Sequence, residues 1–205
     1  MLDGPAGVLE ALRDVPELAP GEAARGIAVI AHPHPQFGGT MDNKVVQTLA
    51  RAFIQCGWVA VRFNFRGVGA SAGSFDEGLG ECDDFLAVVR QAAPQGPLAL
   101  AGFSFGSFVM SHALASLWPS GRDIRKLVFV GTAAARFSVA PLPAPEAHER
   151  ALVVHGEMDD TVPLAAVMDW ARPQTLPVTV VPGGGHFFHG QLPLLKNLVV
   201  RHLQS

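Results

Sequence analysis

The sequence predicts an α/β fold in which helices cover both faces of one mostly parallel sheet. Six short runs rich in Val, Ile and Phe are continuously apolar, which is typical of strands that are buried on both faces. These runs are GIAVIAH, VAVRFNF, LALAGF, KLVFVG, ALVVHG and VTVVPG. Segments with helical periodicity separate them, and parallel neighbours need crossover connections of this kind. The alternation therefore favours an open parallel sheet between two helical layers.

The remaining elements follow in chain order. VLEALRDV, residues 8–15, is predicted to be an antiparallel edge strand. Apolar residues at helical spacing predict helices over residues 43–55, 76–91, 105–117, 164–171 and 192–203. The repeated prolines of residues 131–145 prevent a regular helix, so this segment is predicted to be a loop at the end of a strand.

The chain of 205 residues is predicted to form a single domain, residues 1–205. This length can bury a sizeable core, whereas a closed barrel of eight strands and helices typically needs about 250 residues. Hydrophobic residues make up 49% of the chain and charged residues 16%, unlike the composition of disordered proteins. The formal net charge of -3 offers no basic surface for nucleic acid or anionic lipid. Small or neutral partners are therefore expected.

Neither the cysteines nor the HPHP histidines have the pattern of a metal site. Cys56 and Cys82 lie in no metal-type or redox-type spacing, so two reduced thiols are predicted. The prolines of HPHP enforce an extended chain at His32 and His34, and zinc usually takes three protein ligands. The N-terminus has no basic start followed by an apolar run, so it does not resemble a secretory signal. We expect a cytoplasmic protein without a metal ion.

The segment from Leu98 to Trp118 contains no charged residue and has the length of a membrane span, about 20 residues. A span is one continuous helix, but Gly102 and Gly106 bracket a serine at the point where a strand is predicted to give way to a helix. Polar side chains then interrupt the helical part. The segment is therefore predicted to be a central strand and its neighbouring helix, buried by protein rather than lipid.

The motif GFSFG, from Gly102 to Gly106, carries the strongest chemical signal in the chain. In the G-x-S-x-G arrangement the serine occupies a strained turn between a strand and a helix, and its Oγ projects above the sheet. The glycines are needed because strand and helix approach too closely there for a Cβ. Ser104 lies after a predicted strand and before a predicted helix, and this context predicts a nucleophile.

A serine hydroxyl needs a general base, and the base needs a carboxylate to orient it. Both residue types follow later strands of the sequence. ALVVHG leads into Asp159 and Asp160, and VTVVPG leads into His186, with His189 three residues further on. Serine, then aspartate, then histidine is the chain order found on α/β-hydrolase scaffolds.

The sequence resembles the α/β-hydrolase superfamily, and within it a group of small bacterial serine hydrolases without a lid, similar to dienelactone hydrolases and carboxylesterases. The resemblance covers nearly the whole chain. Its blocks are GPAGVLE, HPHPQFGGTMDNKVV, VRFNFRGVGAS, GFSFG, HGEMDDTVP and GGGHFFHG. The family pattern implies a three-layer α/β/α fold with no large lid. It also selects Asp159 over Asp160 as the acid, and His186, directly after GGG, over His189 as the base.

Hydrolysis also needs backbone donors aimed at the oxyanion. On this scaffold one donor is the N–H of the residue after the nucleophile, here Phe105, and the second comes from the loop after the first parallel strand. In HPHPQFGG the prolines have no N–H. The predicted second donor is therefore the N–H of His34, with that of Gln36 as the alternative.

Other polar residues are predicted to have structural roles. Asp83, Asp84 and Arg90 are expected on the solvated side of a helix, and Arg66 is expected to be paired internally. His155 is also expected to be structural, although it lies close enough in sequence to contact the acid loop.

The predicted protein is a serine hydrolase that cleaves a small or short-chain carboxylic ester or thioester through an acyl-enzyme, with no cofactor. About 55 residues separate the serine from the acid and must supply a strand, a helix and a loop, so no large lid fits. The alternatives are a peptidase or amidase with the same triad, and a binding module that keeps the fold without the chemistry. Apolar sheet edges are compatible with a homodimer.

Overall fold

The computed structural model describes residues 1–205 and contains one main sheet between two layers of helices. The strands are β1 (Leu2–Gly4), β2 (Gly7–Leu9), β3 (Ala11–Asp14), β4 (Ile27–Ala31), β5 (Val59–Phe63), β6 (Leu98–Phe103), β7 (Ile124–Val130), β8 (Ala151–Gly156) and β9 (Thr179–Val181). The helices are α1 (Lys44–Gln55), α2 (Leu79–Ala92), α3 (Phe105–Leu117), α4 (Pro145–Glu149), α5 (Leu164–Ala171) and α6 (Leu192–Gln204). Short 3-10 helices span Pro35–Phe37 and Arg172–Gln174.

The main sheet has the strand order β3-β5-β4-β6-β7-β8-β9. Strand β3 pairs with β5 in antiparallel fashion, and every other pair is parallel. Strand β6, which leads to the GFSFG motif, lies at the centre of the sheet and is fully buried along its length. The predicted fold class is confirmed.

The predicted edge strand over residues 8–15 is divided in two. Residues up to Leu9 belong to a separate hairpin of β1 and β2, and the main sheet begins at Ala11. Between them, the Glu10 backbone bonds to the segment after β5: its N–H donates to Ser71 Oγ and its carbonyl accepts from the Asn64 N–H. Glu10 thus turns the chain from one ladder to the other, a tertiary contact that a local pattern does not reveal.

Two apolar clusters fill the space on the two faces of the sheet. On one face, side chains of β4, β6 and β7 pack against α2, α3 and α5. On the other face, the alternate residues of the same strands pack against α1 and α6. Burial on both faces explains why these strands are continuously apolar in sequence. It also gives the three-layer arrangement that the family resemblance implied.

The helix predictions are confirmed, with one difference at the start of α2. This helix begins at Leu79 rather than at residue 76, because Glu77 and Gly78 have positive φ angles of 52° and 99°. The Glu81 carboxylate accepts hydrogen bonds from the Gly78 and Asp76 N–H groups and caps the helix from within. The first turn predicted for this helix is therefore absent, and Glu77 and Gly78 form a left-handed cap in its place.

The polar face predicted for α2 is partly wrong. Asp83 and Arg90 are exposed, as expected, but the side chain of Asp84 is fully buried. Its carboxylate receives hydrogen bonds from Nε and Nη2 of Arg66 at 3.0 and 2.8 Å. The predicted internal pairing of Arg66 is therefore present, and Asp84 is its partner.

The loop predicted over residues 131–145 is present and is followed by the short helix α4. No lid domain covers the carboxyl ends of the strands. No helix in the structure is both long enough and apolar enough to cross a bilayer.

Candidate active site

Ser104 lies in the sharp turn between β6 and α3, with φ 56° and ψ -118°. Positive φ is strained for a residue with a Cβ, and tight packing on both sides maintains it. A Cβ on Gly102 would lie 2.5 Å from the Gly106 carbonyl oxygen, and a Cβ on Gly106 would lie 2.5 Å from the Ala31 carbonyl oxygen. Only glycine fits at either position, as the motif predicted.

The structure brings Ser104, His186 and Asp159 together from three different strand ends. Ser104 Oγ lies 3.0 Å from His186 Nε2, and His186 Nδ1 lies 2.7 Å from Asp159 Oδ2. All three side chains are buried. A hydroxyl, an imidazole and a carboxylate in this chain of contacts can move a proton from the serine to the histidine and stabilise the resulting cation.

The alternatives for the acid and the base lie outside this chain of contacts. Asp160 is exposed, and its carboxylate contacts the Thr161 hydroxyl. His189 is also exposed, and its ring lies 6.0 Å from that of Phe187.

The carboxylate of Asp159 is held in place by the loop that follows it. Oδ1 accepts hydrogen bonds from the Val162 and Thr161 N–H groups at 2.7 and 3.0 Å. Burial by itself raises the pKa of Asp159, but the hydrogen bonds from His186 and Val162 outweigh it and leave the pKa below its usual value. Asp159 is therefore ionised at neutral pH and available to orient His186.

His155 supports the acid loop from beneath. Its ring is fully buried, with Nε2 2.8 Å from the Val162 carbonyl oxygen and 3.4 Å from Asp159 Oδ2. Because a carbonyl can only accept, Nε2 carries the hydrogen. Burial is the main cause of the lowered pKa of His155. The neutral ring of His155 thus contacts both ends of the acid loop. The sequence had left open whether His155 makes this contact.

The backbone donors predicted for an oxyanion differ in their availability. The N–H groups of His34 and Phe105 have no acceptor within the protein, and both residues line the same cavity as Ser104. The Gln36 N–H donates to His34 Nδ1 at 3.2 Å. His34 and Phe105 therefore have the free donors, and Gln36 shapes the loop.

A cavity of about 280 Å³ opens above Ser104 and His186. Four phenylalanines contribute to its walls: Phe37, Phe105, Phe137 and Phe187. Arg136 lines the cavity too, and no Lys, Asp, Glu or other Arg does. Nothing in the sequence indicates that Arg136 faces the cavity, because it lies in an irregular loop with no periodicity or motif to show which way a side chain points.

His32, the first histidine of HPHP, is a buried link between two strand ends. Its Nε2 accepts a hydrogen bond from the Phe65 N–H at 3.0 Å, and its Nδ1 lies 2.6 Å from the Pro33 carbonyl oxygen. Nδ1 must therefore carry the single hydrogen of a neutral ring. Burial lowers the pKa of His32 to about 4, against the opposing effect of the Pro33 carbonyl.

We expect the neutral form of His32 to make the fold sensitive to acid. Between its ordinary pKa of 6.5 and about 4, His32 takes up a proton in the unfolded chain but not in the folded protein. Stability therefore falls as the pH is lowered through this window, by about 3 kcal/mol from this residue. In His32→Asn the amide can still donate to Pro33 but does not titrate. Urea unfolding from pH 7 to pH 4 is expected to show a correspondingly weaker pH dependence for this variant.

The exposed His189 provides the control for this experiment. His189→Asn is expected to leave the pH dependence of the wild type unchanged. Parallel stability curves for the wild type and His32→Asn would contradict the assignment, whatever the stability of the variant at pH 7.

Known proteins share this fold and part of the sequence. A serine hydrolase without a lid from Xanthomonas campestris is 40% identical, with a TM-score of 0.85 over 99% of this chain and 91% of that chain. A serine hydrolase homologue from Coxiella burnetii is 37% identical, with a TM-score of 0.83 over 98% and 95% of the two chains. An uncharacterized protein of Rickettsia prowazekii is 31% identical over 183 residues, which are 79% of this chain and 71% of that protein.

These similarities and the fold place the chain in the α/β-hydrolase superfamily. Within it, residues 22–153 match the family described as serine aminopeptidase, S33, and the chain belongs to that family. The matched region includes the nucleophile turn but ends before the acid and histidine loops.

Proposed function

We propose that this protein is a serine esterase that hydrolyses small carboxylic esters or thioesters through an acyl-enzyme. One observation carries the proposal: the unbroken chain of contacts from Ser104 Oγ through His186 to Asp159 at the base of an open cavity. A serine with only a structural role in a turn does not require a buried imidazole that is hydrogen-bonded to an ionised carboxylate.

In the proposed reaction, Ser104 Oγ attacks the acyl carbon while His186 Nε2 accepts its proton. The charge that develops on the carbonyl oxygen is stabilised by the N–H groups of His34 and Phe105, a type of interaction that contributes about 3 to 4 kcal/mol for a single donor. The protonated His186 then gives its proton to the leaving oxygen or sulfur, and an acyl-enzyme remains. Water activated by the same histidine releases the acid and regenerates the serine. Every step uses a group of this chain, and none needs a cofactor.

The cavity supports a small substrate. Its volume of about 280 Å³ lies near the lower end of the range for small-molecule sites, and no lid extends it. Four phenylalanine rings provide apolar walls for a short acyl chain or an aromatic alcohol.

A peptidase is the second candidate, because the matching family is described as a serine aminopeptidase. An aminopeptidase must accommodate the α-ammonium group of its substrate beside the nucleophile. No Asp or Glu lines the cavity, and Arg136 places a positive charge there instead. The electrostatics of the cavity therefore favour the esterase.

Two measurements test the proposal and separate it from the alternatives. We expect a fluorophosphonate probe to label wild-type protein at Ser104, because labelling requires an activated serine, whereas a binding module without chemistry stays unlabelled. We also expect turnover of para-nitrophenyl butyrate but none of leucine para-nitroanilide, an amide that carries the free α-ammonium group of an aminopeptidase substrate. A faster amide reaction would favour the peptidase.

A further inference from the structure

Arg136 lies beside the proposed reaction centre. It is exposed, it lines the same cavity as Ser104 and His186, and its Cζ lies 5.8 Å from the centre of the Phe37 ring. Phe37 is itself 74% exposed and forms part of the cavity wall. The guanidinium therefore lies over an aromatic face at the cavity and stays accessible to a ligand from solvent.

The charge of Arg136 is not neutralised within the protein. Its side chain makes no hydrogen bond, and no carboxylate lies within 4.0 Å of it. Two other arginines show the contrast: Arg62, on β5, pairs with Asp14, and Arg66 pairs with Asp84. A guanidinium in this state keeps all of its donors for a ligand.

The positive charge of Arg136 acts on the His34 ring, which belongs to the same cavity. Burial lowers the pKa of His34, and the charge of Arg136 lowers it further. Arg136 and His34 thus line the same cavity as Ser104. No acidic residue lines the cavity, so the guanidinium is the one side chain with a full charge on its surface.

We propose that Arg136 is a specificity residue that selects esters carrying a carboxylate, with the ester carbonyl at Ser104 and the carboxylate at the guanidinium. A planar guanidinium binds a carboxylate through two parallel hydrogen bonds, and the phenylalanine walls contact the apolar carbons between the two ends of the substrate. This inference rests on the proposed esterase function and narrows its substrates to half-esters of dicarboxylic acids and esters of carboxylated alcohols.

Matched pairs of substrates test the inference without disturbing the reaction centre. The acyl-side pair is para-nitrophenyl hydrogen adipate and its neutral methyl ester, para-nitrophenyl methyl adipate. The alcohol-side pair is para-carboxyphenyl acetate and its neutral methyl ester. Each is assayed with wild type, Arg136→Gln, Arg136→Lys and Arg136→Glu. Arg172→Gln is the control, because Arg172 is exposed, pairs with Asp169 and lies outside the cavity.

We expect Arg136→Gln to lower kcat/KM for the anionic member of at least one pair by about 10-fold, with less than about a 2-fold change for the neutral members. Arg136→Glu is expected to lower it further, and Arg136→Lys to retain part of the preference as a simple point charge. The selectivity is expected to weaken as ionic strength rises, since the pair is exposed to solvent. Arg172→Gln is expected to leave both pairs unchanged.

Three results would overturn the inference. The first is a wild type whose ratio of anionic to neutral kcat/KM is the same as that of Arg136→Gln in both pairs. The second is an equal loss on anionic and neutral esters, which would show that Arg136 acts on the reaction centre in general. The third is an equal effect of Arg172→Gln, which would reflect net charge alone. Each of these leaves ester hydrolysis intact, whereas failure of the proposed function is seen as no turnover of any ester by the wild type.

Discussion

Replacing Ser104 with alanine is expected to lower kcat for para-nitrophenyl butyrate by at least about 10,000-fold, the usual loss when a hydrolytic triad is broken. The variant retains the cavity and the free N–H groups of His34 and Phe105. It lacks the only oxygen within hydrogen-bond distance of His186 Nε2. Steady-state rates at saturating ester measure the effect, and the fluorophosphonate label is expected to disappear with the activity.

The same change is expected to leave the fold intact. Alanine keeps the Cβ of Ser104, so the strained backbone at φ 56° is neither relieved nor worsened. Ser74→Ala, at an exposed serine away from the cavity, is the matched control. If Ser104→Ala retained most of the activity of Ser74→Ala, the assignment of the nucleophile would be wrong.

Neighbouring residues of the same type allow the acid and base to be tested in pairs. His186→Gln is expected to lose activity to a similar extent as Ser104→Ala, whereas His189→Gln keeps it. Asp159→Asn is expected to lower kcat by about 10,000-fold, because an amide favours the wrong imidazole tautomer, whereas Asp160→Asn has little effect. The opposite result in either pair would transfer the role to the neighbour.

Much of the fold could be predicted from the sequence because its causes are local. Strands buried on both faces must be continuously apolar, and the close approach of β6 and α3 requires glycine at two fixed positions. The order of serine, aspartate and histidine was readable because each follows a strand, and the carboxyl ends of parallel strands meet at one edge of the sheet. The position of Ser104 beside His186 follows from that topology.

The buried and cavity-lining side chains that sequence reasoning missed depend on contacts between distant segments. The sequence predicts a surface position for Asp84 because it is a charged residue next to Asp83. An aspartate that pairs with a buried arginine cannot be distinguished from an exposed one by sequence alone. Its partner Arg66 lies 18 positions away in a loop. Arg136 was overlooked for the same reason, since only the folded chain shows which loop side chains reach the cavity.

The buried contact between Arg66 and Asp84 gives a large expected effect on stability. Asp84→Asn is expected to lower the free energy of unfolding by about 3 kcal/mol. The asparagine removes the negative charge opposite a side chain that is only 11% exposed. The two carboxylate oxygens of Asp84 accept hydrogen bonds from Nε, Nη2 and the backbone N–H of Arg66. In asparagine one of these oxygens is replaced by an NH₂ group, which can only donate. Urea unfolding monitored by circular dichroism measures the difference.

The adjacent Asp83 makes this experiment decisive, because it is exposed and lies on the same helix. Asp83→Asn changes the net charge and the composition of α2 in the same way, and a surface change of this kind stays within about 0.5 kcal/mol. A large difference between the two variants would show that burial of the ion pair, rather than helix charge, fixes α2 against the loop after β5. Equal effects would mean that Arg66 finds another carboxylate, and Asp76, 3.8 Å from its Nη1, is the nearest one available.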